Sequence, residues 1–418
     1  MKVLSVCTSD ASGGAARAAY RIHQGVRTLG VDSRMFVKNK SSNDETVHAL
    51  SEFVPKTPLY NALDWCANKV KNKIQHAQWR PYLHTKQDLF LSDLRGTRLH
   101  GAMQSWDYDV LHLHWINQRF IHIEELRKIH KPIVWTMHDS WPFCGICHVP
   151  FDCKLYEYHC GRCPILGSNK DCDLAYNVFE KKAVVYKELD LHIVSPSRWM
   201  AECVSRSALL GKFPVTVIPN GLDTESFRPL KHAEMQFSKQ SGKPMILYGA
   251  MNAAQDKVKG FSNLLKALRI IDDQGFEAQL VVFGAEKQEL PMQFKQIDVQ
   301  FVGYVSDIRM LTSLYNAADV MVVPSYSEVF GQTASEAMAC GTPVVAFRCT
   351  GIQDVVEDGC GYLAEPYSAE DLANGIRYCI EHNPDNVLGK AARESAVSRY
   401  AIKFVAEQYK SLYESLKI

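Results

Sequence analysis

Glu328 and Glu336 are separated by seven residues in the stretch Glu328-Val-Phe-Gly-Gln-Thr-Ala-Ser-Glu336. The apolar run Val320 to Pro324 just before them reads as a strand, and a helix is expected from near Gln332. Glu328 therefore sits in a strand-to-helix loop, and Glu336 lies one to two turns into the helix. Backbone amides at a helix start can hold an anion, and Gly331 lets a ligand approach closely. Carboxylates only accept hydrogen bonds, which suits an elongated, hydroxyl-rich ligand touched at two places. The plainer reading is that both merely cap and solvate the helix. Lys259-Gly260 opens a second helix. Ser12-Gly13-Gly14 forms a strand-to-helix turn, but Ala15-Ala16-Arg17 follow, so the third glycine of a dinucleotide fingerprint is missing. His138-Asp139 follow the strand Ile133 to Met137, at the carboxyl edge of a sheet. His112 and His114 alternate on one strand and share a face.

Six cysteines, Cys144, Cys147, Cys153, Cys160, Cys163 and Cys172, fall within 29 residues. Two Cys-x2-Cys pairs in a short segment are the usual spacing for tetrahedral zinc. One structural zinc on Cys147, Cys153, Cys160 and Cys163 is expected. Regulatory disulfides and free thiols are the alternatives. Asp152, Glu157, Asp171 and Asp173 offset Lys154, Arg162 and Lys170, so the segment is not a basic nucleic-acid ribbon.

The elements that must position these residues are strands alternating with helices. Val3 to Cys7, Val110 to Leu113, Ile133 to Met137 and Leu191 to Val194 are short apolar runs. Helices are expected over Ala15 to Leu29, Ile121 to Ile129 and Ala175 to Leu189. A second series holds strands at Met245 to Tyr248, Ala278 to Phe283, Gln300 to Val302, Val320 to Pro324 and Pro343 to Phe347, with helices at Phe261 to Ile271 and Asp307 to Ala318. This alternation predicts an α/β fold: two doubly wound, Rossmann-like domains facing across a cleft. The expected boundaries are 1–215 for the first domain, with a cysteine-rich loop at 144–172, and 216–400 for the second. A final helix is expected over 401–418, with packing back on the first domain as its placement. The polar stretch Pro229 to Gly242 suits a linker or surface insertion.

At 418 residues, two domains are the natural expectation. A net charge of +1 provides no field for nucleic acid, and no apolar run approaches ~20 residues. A cytoplasmic location is expected. Residues 56–80 carry an apolar stripe (Leu59, Leu63, Cys66, Val70, Ile74) flanked by Lys69, Lys71, Lys73 and Arg80. That pattern reads as an amphipathic helix, either packed on its own domain or lying at a membrane surface.

The Glu-x7-Glu segment resembles the signature of the family 4 retaining glycosyltransferases with the GT-B fold. Ser195-Pro196-Ser197, Ile218-Pro219-Asn220-Gly221-Leu222-Asp223, Phe227-Arg228-Pro229 and Lys259-Gly260 extend the resemblance over nearly the whole chain. Subgroups acting in capsule and exopolysaccharide synthesis of the colanic-acid type are similar. The resemblance implies a hexosyltransferase-type enzyme that moves a sugar, with retention, from a nucleotide-sugar donor to a saccharide or polyprenyl-linked acceptor. It implies that Glu336 binds the ribose and Glu328 the transferred sugar. Phe330, Gly331, Gln332 and Thr333 would present amides to sugar and diphosphate, and Lys259 would neutralise the diphosphate. Gly13 and Gly14 would border the diphosphate, Tyr304 and Val305 the base, and His138 the sugar. The family's arginine is replaced here by Ala250, with Lys257 as the substitute. No cofactor is required for catalysis on this reading. The alternatives are a nucleotide-sugar 2-epimerase and a non-catalytic glycan-binding scaffold.

Overall fold

The computed structural model describes residues 1–53, 69, 70, 73, 80–82, 106–118, 120–239, 242–252 and 255–416. The amphipathic helix expected over 56–80 lies almost wholly outside these residues. The chain divides into two compact units. Met1–Ser195, Ala201–Ile218 and Glu407–Ile418 form the first, and Pro196–Met200 with Pro219–Ala406 form the second. Among the described residues no helix is long and apolar enough to cross a membrane.

The first unit is built on seven parallel strands: β1 (Lys2–Ser9), β2 (Asp32–Asn39), β3 (Val47–Ala49), β4 (Val110–Leu113), β5 (Ile133–Thr136), β6 (Leu191–Ser195) and β7 (Val215–Val217). Their order is β3-β2-β1-β4-β5-β6-β7, so the winding reverses between β1 and β4. Ligands of such sheets bind beyond the carboxyl ends of the strands at that reversal. Helix α1 (Gly14–Thr28) follows β1 and buries Ala16, Ala19, Ile22 and Val26 along one face. Strand β2 escapes the sequence reading because Asp32 and Arg34 are exposed while Met35, Phe36 and Val37 are buried, which blurs its apolar run. The helix expected at Ile121 to Ile129 is instead a 3-10 helix, Ile123–Lys128. Its buried Ile123 and Leu126, with Ile129 just beyond, recur every third residue, which is the period of a 3-10 turn. Helix α2 (Leu174–Tyr186) is capped by Asp173, whose carboxylate accepts from the Tyr176 amide at 3.0 Å. Helix α3 (Arg198–Arg206) begins in the second unit and ends in the first.

The second unit has six parallel strands: β8 (Met245–Gly249), β9 (Ala278–Phe283), β10 (Ile297–Gly303), β11 (Val320–Val323), β12 (Val344–Phe347) and β13 (Gly361–Ala364). Their order is β10-β9-β8-β11-β12-β13, reversing between β8 and β11. Alternate residues face opposite sides. Met245, Leu247, Met321 and Val323 pack with α5 (Ile308–Ala317), α6 (Gln332–Ala339) and α8 (Val387–Tyr400). Ile246, Tyr248, Val320 and Val322 pack with α4 (Phe261–Asp273) and α7 (Ala369–Glu381). Each fully buried aliphatic side chain contributes about 1.5–3 kcal/mol, so helices cover both faces. These two doubly wound sheets match the α/β, GT-B class expected from the sequence.

One detail departs from expectation. The stretch from Pro229 is no free linker: Phe237 is buried, and the amides of Leu230 and Gln236 donate to Asn316 and Ser313 of α5. The last helix, α9 (Ile402–Leu416), passes from the second unit into the first, where the Tyr413 hydroxyl meets His112 Nδ1 at 2.6 Å.

Candidate active site

In the second unit the candidate residues gather at the β8/β11 reversal. Strand β8 ends at Gly249, and a loop leads to the 3-10 turn Lys257–Lys259, capped by Asp256 through the Val258 amide at 2.9 Å. Gly260 then adopts φ 72° and starts α4. A Cβ at Gly260 would stand 1.8 Å from the Pro324 carbonyl oxygen. Only glycine lets this turn lie against the end of β11, and the Tyr326 amide completes the contact by donating to Val258 O at 2.8 Å. This packing brings Lys259 Nζ to 2.7 Å from Glu328 Oε1. Burial opposes the ammonium charge, but the Glu328 carboxylate and Asp256 hold its pKa above the ordinary lysine value. Lys259 therefore stays charged at neutral pH.

The Glu328 loop is held from two sides. Ser325 Oγ donates to Glu328 Oε1 at 3.0 Å, and the Glu328 amide donates to Thr350 Oγ1 at 3.1 Å. The Gly351 amide donates to Glu328 O at 2.8 Å, and a Cβ on Gly351 would collide with Val329 O. Beyond the loop, Phe330 is buried edge-on against Tyr400, and Gly331 at φ 92° is the N-cap of α6. Gln332 and Thr333 form the first turn of that helix, whose positive end is directed at the loop. Glu336 lies further along the helix, only 2 % exposed, and its Oε2 accepts from the Tyr315 hydroxyl at 3.0 Å.

The remaining donor-side expectations are more dispersed. Lys257 is exposed on the 3-10 turn beside Lys259. Tyr304 is exposed after β10, its hydroxyl 3.2 Å from Asn252 Oδ1, and Val305 packs on the adjacent core. A cavity of about 1080 Å³ bordered by Phe237, Asp319, Thr342 and Arg393 contains none of these residues. Asp319 and Thr342 stand just before β11 and β12, so this cavity lies at the amino ends of the strands, opposite the binding edge of such sheets.

In the first unit Gly13, at φ 92°, caps α1, and Gly14 is that helix's first residue. Ser9 Oγ accepts from the Ser12 amide at 3.1 Å and shapes the turn. His138 meets His114 across the strand tips, Nε2 to Nδ1 at 3.0 Å, with the rings stacked. Burial pushes His138 down to about 4 against the pull of Asp139, and pushes His114 well below the usual histidine value. Both rings are neutral. Asp139 is fully engaged: Trp115 Nε1 donates to it at 2.6 Å, the Trp141 amide donates at 3.0 Å, and His148 Nδ1 bonds the same carboxylate. It anchors the following loop. The sequence places His114 only on a shared strand face with His112, and its pairing with His138 has no local signal.

Cys144, Cys147, Cys160 and Cys163 are buried, Cys153 is half-buried and Cys172 is exposed. The thiols of Cys153, Cys160 and Cys163 each sense Cys147 electrostatically. The Gly145 amide donates to Cys160 Sγ at 3.2 Å, and the Ile165 and Leu166 amides serve Cys163. Four thiols with amide donors are a donor set that suits a soft divalent metal. The arrangement is looser: among the described residues no group of three or more His, Cys, Asp or Glu side chains is arranged to hold a metal ion. The segment is fastened by buried Lys182, which bonds the carbonyls of Trp141, Cys144 and Gly145.

Residues 12–226, more than half of the chain, match the model of Glycosyltransferase Family 4, and residues 234–395 match Glycosyl transferases group 1. The chain is 25% identical, over 100% of both sequences, to a putative colanic acid biosynthesis glycosyl transferase, WcaC, of Escherichia coli K12. It is 28% identical to a phosphatidyl-myo-inositol mannosyltransferase of Mycobacterium leprae, covering 76% of this chain and 77% of that one. Among solved structures it resembles HepE from Anabaena, in complex with UDP and glucose, with a TM-score of 0.65 at 18% identity, covering 99% of this chain and 100% of that one. A sucrose-phosphate synthase from Thermosynechococcus elongatus gives 0.65 at 21% identity, covering 100% and 99%.

Proposed function

The chain belongs to Glycosyltransferase Family 4, and from that premise we propose that it transfers a sugar, with retention, from a nucleotide-sugar donor to a saccharide or lipid-linked saccharide acceptor of cell-surface polysaccharide synthesis. Family membership sets the epimerase alternative aside. The observation that carries the reading is the Lys259–Glu328 ion pair at the reversal of the second sheet, beside the positive end of α6. The bound UDP and glucose of the structurally similar HepE support a nucleotide-sugar donor.

In the reaction the bond between sugar C1 and the diphosphate oxygen breaks, and its electron pair stays on the diphosphate. The acceptor oxygen bonds C1 on the same face, and its proton passes to the leaving phosphate. Charge grows on the diphosphate, so a fixed cation there lowers the barrier. Lys259 supplies it, assisted by Lys257 and by the amides of Phe330, Gly331, Gln332 and Thr333, with Gly13 and Gly14 admitting close approach. When the donor binds, Lys259 turns from Glu328 to the phosphates. Glu328 then accepts from hydroxyls of the transferred sugar, Glu336 from the ribose, and the backbone near Tyr304 and Val305 meets the base. His138 is read as a sugar-contacting residue of the first unit. A panel of UDP-, GDP-, ADP- and TDP-sugars, scored by thermal shift and then by transfer to saccharide acceptors, tests this reading. Binding of no nucleoside diphosphate would favour a non-catalytic scaffold.

The same proposal assigns one structural zinc to Cys147, Cys153, Cys160 and Cys163. Spacing, burial and amide donors support it, and binding would have to gather the thiols more tightly than the structure has them. Four thiolates would close the coordination sphere, so the metal would order the loop and take no chemical part.

A further inference from the structure

We propose that His114 is a positioning residue that fixes His138 as the tautomer protonated on Nδ1, so that His138 presents an N–H donor to its ligand. The bond between His114 Nδ1 and His138 Nε2, at 3.0 Å, needs one proton between two nitrogens. Both rings are held neutral by burial, so each has one N–H and one lone pair. Two arrangements satisfy the bond. Either His114 donates and keeps a bare lone pair on Nε2, or His138 donates and His114 must carry its proton on Nε2.

His114 decides between them. It is 2 % exposed, and its Nε2 is buried with no hydrogen-bond partner among the described residues. A buried N–H without an acceptor is rarer and costlier than an unfilled acceptor site. The proton therefore sits on His114 Nδ1, and His138 Nε2 accepts it. His138 must then carry its own proton on Nδ1, an atom with no partner among the described residues, on a residue that is not fully buried.

The surroundings prevent His114 from adapting. Its amide donates to Val6 O at 2.9 Å, and its carbonyl accepts from Trp135 Nε1 at 3.0 Å. Its ring lies against that of His112, tilted by 42°, with 3.9 Å between centroids. His112 is itself immobilised, by Thr136 Oγ1 at 2.8 Å and by the Tyr413 hydroxyl at 2.6 Å. Which nitrogen of a histidine is protonated is set by the bond the other makes. Here that bond comes from a neighbour that cannot turn.

The inference rests on the proposed role of His138 only for its meaning in transfer, not for the tautomer. The decisive experiment is long-range proton–nitrogen correlation NMR on the full chain labelled with 15N-histidine, with His138 assigned by its loss in His138→Ala. We expect the wild-type His138 to be protonated on Nδ1 and bare on Nε2. In His114→Leu it should revert to the Nε2–H form that a free histidine side chain prefers. In His114→Asn, whose side-chain amide donates from nearly the same place, it should stay on Nδ1. A wild-type His138 protonated on Nε2 would overturn the inference, as would a tautomer unchanged in His114→Leu. Should His114→Leu fail to fold, the wild-type spectrum alone decides. In the transfer assay His114→Leu should lower kcat/KM by roughly tenfold, and His114→Asn should restore most of it. Spectra as expected with kcat/KM unchanged would leave the tautomer relay standing and remove His138 from sugar recognition.

Discussion

Lys259 and Glu328 form a 2.7 Å ion pair that ties the turn after β8 to the loop after β11. The two residues lie 69 positions apart, and glycine at 260 is what allows their turns to touch. The pair neutralises two charges that the proposed reaction would use separately. Opening it on donor binding would exchange one carboxylate–ammonium contact for an ammonium–phosphate contact.

Lys259→Met should therefore weaken UDP binding by roughly tenfold or more, since hydrogen bonds to charged groups contribute about 1.5–3 kcal/mol. Isothermal titration at two salt concentrations checks this. The variant's affinity should depend less on salt than the wild type's.

Tyr315→Phe removes one donor from Glu336 while leaving the carboxylate in place. Donor KM should rise by roughly tenfold with kcat nearly unchanged, because a ribose contact acts in ground and transition states alike. A fall in kcat at constant KM would place Glu336 in the chemical step instead.

Acid should destabilise the first unit through His23. Its ring is fully buried between Ser33 Oγ at 2.7 Å and Thr46 Oγ1 at 2.9 Å, and burial lowers its pKa to about 4 against the pull of Asp44. The folded value is below the unfolded value of about 6.5, so the unfolded chain binds the proton first. The contribution is complete above about pH 6.5 and is lost as the pH falls towards 4. Between pH 7 and 5 the loss should be about 2 kcal/mol. Other buried histidines of this unit, His114 and His138 among them, act in the same direction, so urea denaturation should show a loss in His23→Gln that is smaller than the wild type's by that increment.

Protein purified under reducing conditions should carry about one zinc per chain by elemental analysis, four cysteines closing one tetrahedral structural site. Serine at Cys147 or Cys163 should abolish binding. A content near zero, together with disulfides among these cysteines by mass spectrometry, would replace the metal with a redox staple.

Much of the candidate site in the second unit is legible because its signals are local. Glu328, Gly331 and Glu336 belong to one strand–loop–helix, and Lys259-Gly260 to one turn, so their spacing carries the geometry. What could not be read is long-range. Tyr315 reaches Glu336 from another helix, Thr350 and Gly351 clamp the Glu328 loop from beyond β12, and His114 meets His138 across two strands. None of these pairings has a periodicity. Strand β2 was missed because tertiary pairing with β1 outweighs its mixed composition. The cysteine spacing was equally plain, but spacing fixes only which thiols share a neighbourhood, not how closely they gather.

The central claim is that Glu328 acts on the sugar in the chemical step. The direct test is the kcat of Glu328→Ala at saturating donor, once the screen has identified that donor. The account predicts a fall of about 10²-fold or more, with donor KM changed far less. An unchanged kcat would contradict it.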